Sequence, residues 1–155
     1  MSDKVKEIFE KSKKLGEIAE PRQGMATGDN DRFLRLWFET EFNNIGFNFK
    51  DINSFHSSHF KYAPYNKAGE LRKWFGNQEF IIKFDKKNYN NLAKMGNNLP
   101  SRQFYFNTSI SWSLISSTTF GARFYQKGFV FDVGGSSTFP QEKDLLYIHN
   151  FLHNS

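Results

Sequence analysis

The second half of the chain carries its apolar residues in short runs bounded by serine, threonine or glycine. Short runs rich in aromatic and β-branched residues are typical of strands. They predict strands at residues 110–112, 120–125 and 129–133, and the earlier run at residues 79–84 predicts another. Residues 125–128 have the composition of a hairpin turn. We therefore expect this half of the chain to be rich in β-structure.

Apolar residues at helical spacing occur near both ends of the chain. Residues 2–15 place apolar side chains roughly on one face, with Ser2 in the N-cap position. From about residue 141, a second pattern places Leu145, Ile148 and Leu152 on one stripe. Together with the strands, this predicts an α+β fold with a mixed β-sheet, an N-terminal helix and a C-terminal helix. Because no repeat or domain boundary is visible, we expect residues 1–155 to form a single domain.

The remaining segments give weaker patterns. Residues 16–31 are rich in turn-forming residues, which predicts an ordered loop. Residues 33–39 fit a short strand buried on both faces, although the spacing of their apolar residues does not exclude a helix. Residues 43–77 are aromatic and polar without a clear period, and residues 85–100 are predicted to be a polar connection.

Charge and cysteine content limit the classes of partner. The formal charge of +5 and the pI near 9.4 suit a polyanion, because neutralised phosphates release counterions, but many basic proteins bind no nucleic acid. The absence of cysteine excludes disulfides and thiolate ligands, and it favours a cytoplasmic location. No apolar run approaches the roughly 20 residues that span a bilayer, so we expect no membrane partner.

Several catalytic chemistries can be excluded from the spacing of glycine and proline. The eleven glycines never form G-x-G or a Gly-Lys pair, which excludes the dinucleotide fingerprint, the glycine loop of S-adenosylmethionine sites and the P-loop. The four prolines are never adjacent. Residues 63–66 are therefore only a look-alike of the motif that holds the flipped base in adenine methyltransferases. We expect no catalytic residue and no cofactor in this chain.

Two pairs of histidines and one acidic–basic triplet are the remaining candidates for metal chemistry. His56 and His59, like His149 and His153, are close enough in sequence to hold zinc, but without cysteine or a well-spaced carboxylate a structural role is favoured. Residues 85–87 match the end of a metal-dependent nuclease motif, yet a lysine-rich turn after a strand explains them better. We expect no metal site.

Basic residues alternate with aromatic residues and glycines in residues 21–33, 65–76, 112–123 and 127–137. Arginine and lysine hold phosphates or read guanine, asparagine and glutamine pair with adenine edges, and glycine lets backbone amides approach phosphates. This combination predicts a DNA-binding surface. The predicted DNA contacts are Arg22, Gln23, Thr27, Asn30, Arg32, Lys67, Arg72, Lys73, Arg123 and Lys127.

Four segments also resemble a known family, in the same order along the chain. They are KLGEIAEPRQGMATGDNDRFLR at 14–35, PYNKAGELRKWFG at 64–76, SISWS at 109–113 and KGFVFDVGGSSTFP at 127–140. They resemble the segment that follows the methyltransferase core in the adenine-specific DNA methyltransferases of BREX phage-exclusion systems. Those large proteins are similar to type IIG restriction-modification enzymes.

The resemblance implies a target-recognition-like domain that reads double-stranded DNA while a separate domain, which uses S-adenosylmethionine, flips and methylates adenine. The family's catalytic motifs lie upstream of this region and are absent here, so we expect no methyl transfer by this chain alone. Possible further partners are the methyltransferase core and other defence-system proteins. The alternative is a protein-interaction or inhibitor module acting on a methyltransferase or a defence partner, and an independent enzyme ranks last.

Overall fold

The structure is a computed structural model that describes residue 7, residues 10–115 and residues 120–154. Most of the helix predicted at residues 2–15 lies outside these residues. The described part of the chain contains five α-helices, the last of which is the longest. They are α1 (Leu15–Ile18), α2 (Asn30–Phe33), α3 (Ile52–His56), α4 (Lys86–Leu92) and α5 (Glu142–Asn154). Short 3-10 turns occur at Trp37–Glu39, Phe42–Asn44 and Arg102–Phe104.

Eight strands in the described residues form two four-stranded sheets. The strands are β1 (Pro21–Arg22), β2 (Leu34–Leu36), β3 (Tyr62–Asn66), β4 (Phe80–Lys83), β5 (Ser109–Trp112), β6 (Ala122–Tyr125), β7 (Val130–Phe131) and β8 (Ser137–Thr138). The antiparallel sheet has the order β1-β8-β5-β6. The mixed sheet has the order β2-β4-β3-β7, in which only β3 and β7 are parallel. The predicted α+β class, with helices near both ends, is confirmed.

Strand β3 lies inside the mixed sheet although it contains a proline. All five of its residues are buried. Pro64 is opposite Ile81 of β4, whereas β7 pairs only with Tyr65 and Asn66. Because proline has no backbone N–H, it is tolerated in a strand where one ladder is incomplete. Strand β3 can therefore lie inside the sheet, because the missing N–H of Pro64 leaves no carbonyl of a neighbouring strand without its donor.

The main core lies against the mixed sheet and is built largely from aromatic rings. Its members include Phe33, Phe55, Tyr65, Phe84, Tyr105, Phe106 and Phe131. Phe55 of α3 is fully buried and stacks on Phe106, with ring centroids 5.6 Å apart. Its ring also meets Phe49 and Phe84 edge-on, with centroids 5.1 and 5.9 Å away. Edge-to-face and offset aromatic pairs add stabilisation beyond the burial of area.

Buried hydrogen bonds join β3 to the antiparallel sheet and to the segment after β7. Asn66 Nδ2 donates to Ser111 Oγ of β5 at 2.7 Å, and Ser111 Oγ donates to Ser136 O at 3.1 Å. Tyr65 Oη donates to Asp132 Oδ2 at 2.9 Å, and burial together with this carboxylate raises the pKa of Tyr65. Since buried polar groups are costly when unpaired, these bonds fix how the two sheets are joined.

Helix α5 covers the antiparallel sheet with the stripe predicted from the sequence. Leu145, Ile148 and Leu152 are buried and share a cluster with Ile110 and Ala122 of the sheet. The predicted C-terminal helix is thus confirmed. No helix in the described residues is both long enough and apolar enough to cross a membrane.

Several local predictions need correction. The run at residues 33–39 is a strand only at Leu34–Leu36, followed by a 3-10 turn. Residues 43–77 contain α3 and β3, and the polar connection at residues 85–100 contains α4.

Asp85 caps α4, since its carboxylate accepts from Lys87 N and Asn88 N at 3.1 and 3.2 Å. This capping role accounts for the triplet at residues 85–87.

The turn at residues 125–128 does not close a hairpin. Strand β6 pairs with β5 in the antiparallel sheet, while β7 pairs with β3 in the mixed sheet. The turn therefore carries the chain from one sheet to the other. The strands predicted at residues 79–84, 110–112, 120–125 and 129–133 are present; β5 begins one residue earlier than predicted, and the other three are shorter than predicted.

We expect Phe55→Ala to lower the free energy of unfolding by about 3–5 kcal/mol, because a buried phenylalanine leaves a cavity. Phe38→Ala is the matched control, since the Phe38 side chain is 63% exposed. It should change stability by no more than about 0.5 kcal/mol. Urea unfolding followed by circular dichroism measures both values. If Phe55→Ala lowered the free energy of unfolding as little as Phe38→Ala, the burial of Phe55 in the aromatic core would be contradicted.

Candidate nucleic-acid interface

Cations from four segments meet at one side of the mixed sheet. Strand register places Arg35 opposite Ile81, so Arg35 and Lys83 are diagonal neighbours on the same face. Arg32 belongs to α2, and Lys61 directly precedes β3. All three of the other cations lie close enough to Lys83 to depress its pKa. We call Arg32, Arg35, Lys61 and Lys83 the basic cluster.

Local hydrogen bonds orient the two arginines of the basic cluster. Asp29 is the N-cap of α2, and its carboxylate accepts from Arg32 N at 3.0 Å. The Arg32 guanidinium lies 5.0 Å from the centroid of the Phe33 ring. Arg35 Nη1 donates to the backbone oxygens of Asp31 and Leu34 at 2.6 and 2.5 Å. Both arginines therefore keep donor groups for a ligand.

Carboxylates compensate the charges of the basic cluster only in part. None of its four cations forms an ion pair with a carboxylate of the residues that the structure describes. Desolvation, followed by the positive charges of Arg35, Lys61 and Arg32, lowers the pKa of Lys83, and Asp85 opposes this only in part. Like charges held together raise the free energy of the folded state. A bound anion would relieve this repulsion.

Polar side chains surround a shallow depression next to the basic cluster. The depression has a volume of about 520 Å³. Besides three cations of the cluster, its lining consists of His59, Phe60, Asp85, Lys87, Asn88 and Asn91, so cations outnumber the single carboxylate. Amide and lysine groups commonly bind phosphate oxygens. The depression is thus suited to a stretch of nucleic-acid backbone.

A second depression, of about 500 Å³, continues from Arg35 along the sheet edge. Asn30 and Lys67, which come from different sequence motifs, both line it. Lys67 Nζ lies 5.7 Å from the centroid of the Phe80 ring, which fixes the lysine over an aromatic face. Phe80 also lines the groove described next, so it joins the two surfaces.

A groove of about 290 Å³ lies beyond Phe80 and is lined mainly by aromatic rings. Three of these rings are strongly exposed: Trp37 at 49%, Phe42 at 64% and Phe47 at 42%. We call this feature the aromatic groove. Its lining is Trp37, Phe42, Phe47, Asn48, Pro64, Gln78, Phe80, Ile81, Gln126, Lys127 and Phe129.

Close backbone contacts hold the walls of the aromatic groove. Gly128 has φ of +108° and lies so near Asn48 that an added Cβ would be 2.8 Å from the Asn48 nitrogen. Trp37 N donates to Glu79 O at 2.9 Å. Tyr125 Oη donates to Asn77 O at 2.9 Å, and burial raises the pKa of Tyr125 to about 12. These contacts fix the rings and Gln78 relative to one another.

The structure brings some predicted DNA contacts together and separates others. Arg32 belongs to the basic cluster, Asn30 and Lys67 share the second depression, and Lys127 lines the aromatic groove. The other three exposed residues of the prediction are Gln23, Arg72 and Lys73, which line none of these surfaces.

Three further predicted DNA contacts, Arg22, Thr27 and Arg123, form hydrogen bonds with other side chains of the protein. Arg22 pairs with Glu20 at 2.7 Å and lies 5.1 Å from the Phe104 ring centroid. Thr27 is 3% exposed and donates to Asn30 Oδ1 at 2.6 Å.

Arg123 is the clearest difference, because its side chain is fully buried. Its Nη2 donates to Ser113 Oγ at 3.2 Å, and Nε and Nη1 have no hydrogen-bond partner among the described residues. Its guanidinium therefore does not reach the surface in this conformation.

Sequence reasoning missed Arg35, Lys61, Lys83 and Gln78. Arg35 and Lys83 stand next to apolar strand residues, but only the register shows that they share a face with the neighbouring cations. The alternation of Leu34, Arg35 and Leu36 was the one available signal that Arg35 points away from the core. Lys61 and Gln78 stand just outside strands and carry no such signal.

The look-alike of a base-holding motif at residues 63–66 forms most of β3. Its Asn66 is 1% exposed and donates to Ser111, so this segment has a structural role. The histidines also make internal contacts: the rings of His56 and Tyr89 are 4.9 Å apart, and those of His149 and Trp74 are 5.1 Å apart. No group of three or more potential metal ligands is found among the described residues.

Comparison with known protein families gives no match, but individual relatives are clear. The adenine-specific methyltransferase BrxX of Escherichia coli O9:H4 (strain HS) is 38% identical over 125 residues, which are 81% of this chain and 10% of that protein. The adenine-specific methyltransferase PglX of Lacticaseibacillus casei (strain Zhang) is 35% identical over 156 residues, covering 93% of this chain and 12% of that protein.

The chain belongs to the BREX adenine-specific methyltransferase family. The resemblance carried by the four sequence motifs is thereby confirmed. The chain spans only 10–12% of the length of these two relatives. A role of this region in reading DNA stays a prediction at this point.

We expect Lys83 to titrate below the ordinary lysine pKa and Arg35→Gln to raise its pKa. With a lowered folded-state pKa, the unfolded chain binds more protons between the two pKa values, so the Lys83 contribution to stability rises with pH in that window. NMR titration of lysine side chains measures the pKa, with exposed Lys143 as internal reference. An unchanged Lys83 pKa in the variant would contradict the basic cluster.

Gly128→Ala should destabilise the protein by about 1–3 kcal/mol, because the left-handed φ and the Asn48 backbone both oppose a Cβ. Gly16→Ala is the matched control, since nothing lies within 4 Å of an added Cβ in α1. Alanine in a helix should stabilise by about 0.5–1 kcal/mol. Thermal unfolding measures both changes. The same sign for both variants would argue against the close contact between Gly128 and Asn48.

Proposed function

We propose that this chain is a DNA-binding target-recognition module of an adenine-N6 DNA methyltransferase in a phage-defence system. The single observation that carries the proposal is the basic cluster, whose cations have no ion-paired carboxylate in the described part of the chain. The family relation supplies the context, since both relatives are named adenine-specific methyltransferases. The module contributes DNA binding, while methyl transfer with S-adenosylmethionine belongs to other segments of such proteins.

The arrangement of charges supports contact with the DNA backbone. Phosphate contacts position a protein on DNA and supply most of its salt-dependent affinity. The depression beside the basic cluster is lined by four cations and two amides against one carboxylate, Asp85, whereas the second depression has two cations and two carboxylates, Asp31 and Glu39. Base reading falls to the side chains next to the phosphate contacts, among which the amides are Asn30 in the second depression and Asn88 and Asn91 in the first.

The test is binding to fluorescein-labelled duplex DNA with a randomised centre, measured over a series of salt concentrations. We expect a steep decrease of affinity with salt, and sequencing of the retained DNA should reveal a preferred site. Arg35→Gln or Lys83→Gln should weaken binding to all sequences and reduce the slope of log K against log salt by about one. Lys143→Gln on α5 is the matched control, because Lys143 is exposed and lies outside the basic cluster.

Three outcomes have distinct meanings. A preferred site together with slope changes only in the cluster variants supports the proposal. Steep salt dependence without a preferred site would leave a non-specific DNA-binding module and overturn the recognition role. Absence of duplex binding at low salt would overturn the proposal and favour the protein-interaction module that the sequence left as the alternative.

A further inference from the structure

We propose that the aromatic groove binds a single unstacked nucleobase of DNA. The inference rests on the proposed function and adds a second, chemically different contact to it. Trp37, Phe42 and Phe47 remain strongly exposed although Phe42 and Phe47 pack against each other with ring centroids 5.2 Å apart, and exposed rings gain free energy when another flat apolar surface covers them. A heterocyclic base is such a surface, and its stacking on aromatic side chains does not depend on sequence.

An unsatisfied hydrogen-bond donor in the groove lining points to a polar ligand. Gln78 Nε2 is buried and has no hydrogen-bond partner among the described residues. A buried amide without a partner costs about 1–3 kcal/mol, so such groups in folded proteins call for an explanation. A glutamine amide donates to N7 and accepts from N6 of adenine, so rotation of the Gln78 side chain towards the groove would give the buried Nε2 atom a partner.

Electrostatics favours nucleic acid over a peptide in this groove. Its lining contains Lys127 and the amides of Asn48, Gln78 and Gln126, but no carboxylate. The basic cluster lies at the other end of β4, since Phe80 lines the groove and Lys83 belongs to the cluster. A ligand that carries flat aromatic bases linked to phosphates matches both ends of β4: the bases suit the aromatic groove, and the phosphates suit the basic cluster.

Distances along β4 fit a continuous DNA strand. Phe80 and Lys83 are three residue steps apart, which is about 10 Å along a strand. This is close to three nucleotide steps of roughly 3.4 Å along the duplex axis. Ile81 lines the groove and shares a face of β4 with Lys83, so one DNA strand on that face would place a phosphate at the basic cluster and a base two or three nucleotides away in the aromatic groove.

A paired base cannot occupy the groove. Inside a duplex, stacked neighbours cover the faces of a base and only its edges are accessible. The groove volume of about 290 Å³ is at the lower end of the range for small-molecule sites, which suits one heterocycle and not a base pair. The ligand is therefore a base that has left the stack.

The experiment compares three probes with the complete chain: a 20-base-pair duplex, the same duplex with one bulged adenine, and free deoxyadenosine monophosphate. We expect the bulged duplex to bind about tenfold more tightly than the paired duplex. It should also quench Trp37 fluorescence, and Trp37→Phe should remove that part of the quenching. Free nucleotide should bind far more weakly, because it lacks the phosphates that reach the basic cluster.

Two groove variants and two controls separate the possible causes. Phe42→Ala and Gln78→Met should abolish the preference for the bulged duplex and leave binding to the paired duplex unchanged. Tyr147→Ala is the control for an exposed aromatic, because Tyr147 is 72% exposed on α5. Lys83→Gln is the control for charge and should weaken both duplexes by the same factor.

Each result distinguishes this inference from the proposed function. Binding of the paired duplex without a preference for the bulge would overturn the inference and leave the proposed function intact. A preference that survives Phe42→Ala and Gln78→Met would also overturn it, since the base would then bind elsewhere. Free nucleotide binding as tight as the bulged duplex would overturn it in favour of a nucleotide site. Failure of both duplexes to bind would overturn both proposals.

Discussion

The burial of β3 is the constraint on which most of the structure depends. This strand pairs with β4 over four residues and with β7 over two, and it faces the aromatic core. Two of its polar groups, on Tyr65 and Asn66, are satisfied by Asp132 and Ser111. Because a buried polar group without a partner is costly, β3 cannot move relative to these partners without losing both bonds. The position of one sheet relative to the other therefore depends on this single strand.

The position of the aromatic groove follows from the same strand. Strand β7 begins to pair with β3 at Tyr65, and Pro64 lines the groove just before this point. A residue with a backbone N–H at position 64 could extend the β7 ladder, whereas proline cannot. The sheet edge is thus left open there, and Trp37, Phe42 and Phe47 cover it only partly. Pro64, which makes β3 hard to recognise in the sequence, thus also forms part of the groove wall.

The parts of the fold that could be predicted are those with local periodicity. Helix α5 and the short strands of the second half have patterns that depend only on neighbouring residues. Strand β3 could not be recognised because all five of its residues are buried, which removes alternation, and because Pro64 argues against a central strand. Helix α4 is hidden in an asparagine-rich stretch whose decisive residue is the cap Asp85. The turn at residues 125–128 was identified, but its local composition carries no information about which sheet each flanking strand joins.

The candidate site was only partly predictable, because charge identifies residue types whereas register decides which of them meet. Arg32 was found in its motif, yet Arg35 and Lys83 become neighbours only through the pairing of β2 with β4. The surface around this sheet therefore concentrates features that a stable fold avoids: four cations without an ion pair and a Gln78 Nε2 atom without a partner among the described residues, and exposed aromatic rings. Each of them raises the free energy of the unbound protein, and a polyanion carrying flat bases would lower all three contributions. Such local violations of stability are expected where a protein binds a ligand. Arg123 of β6 is fully buried, and its Nε and Nη1 atoms have no hydrogen-bond partner among the described residues, so it has no comparable access to a ligand and its unfavourable contribution is offset by the packing around it.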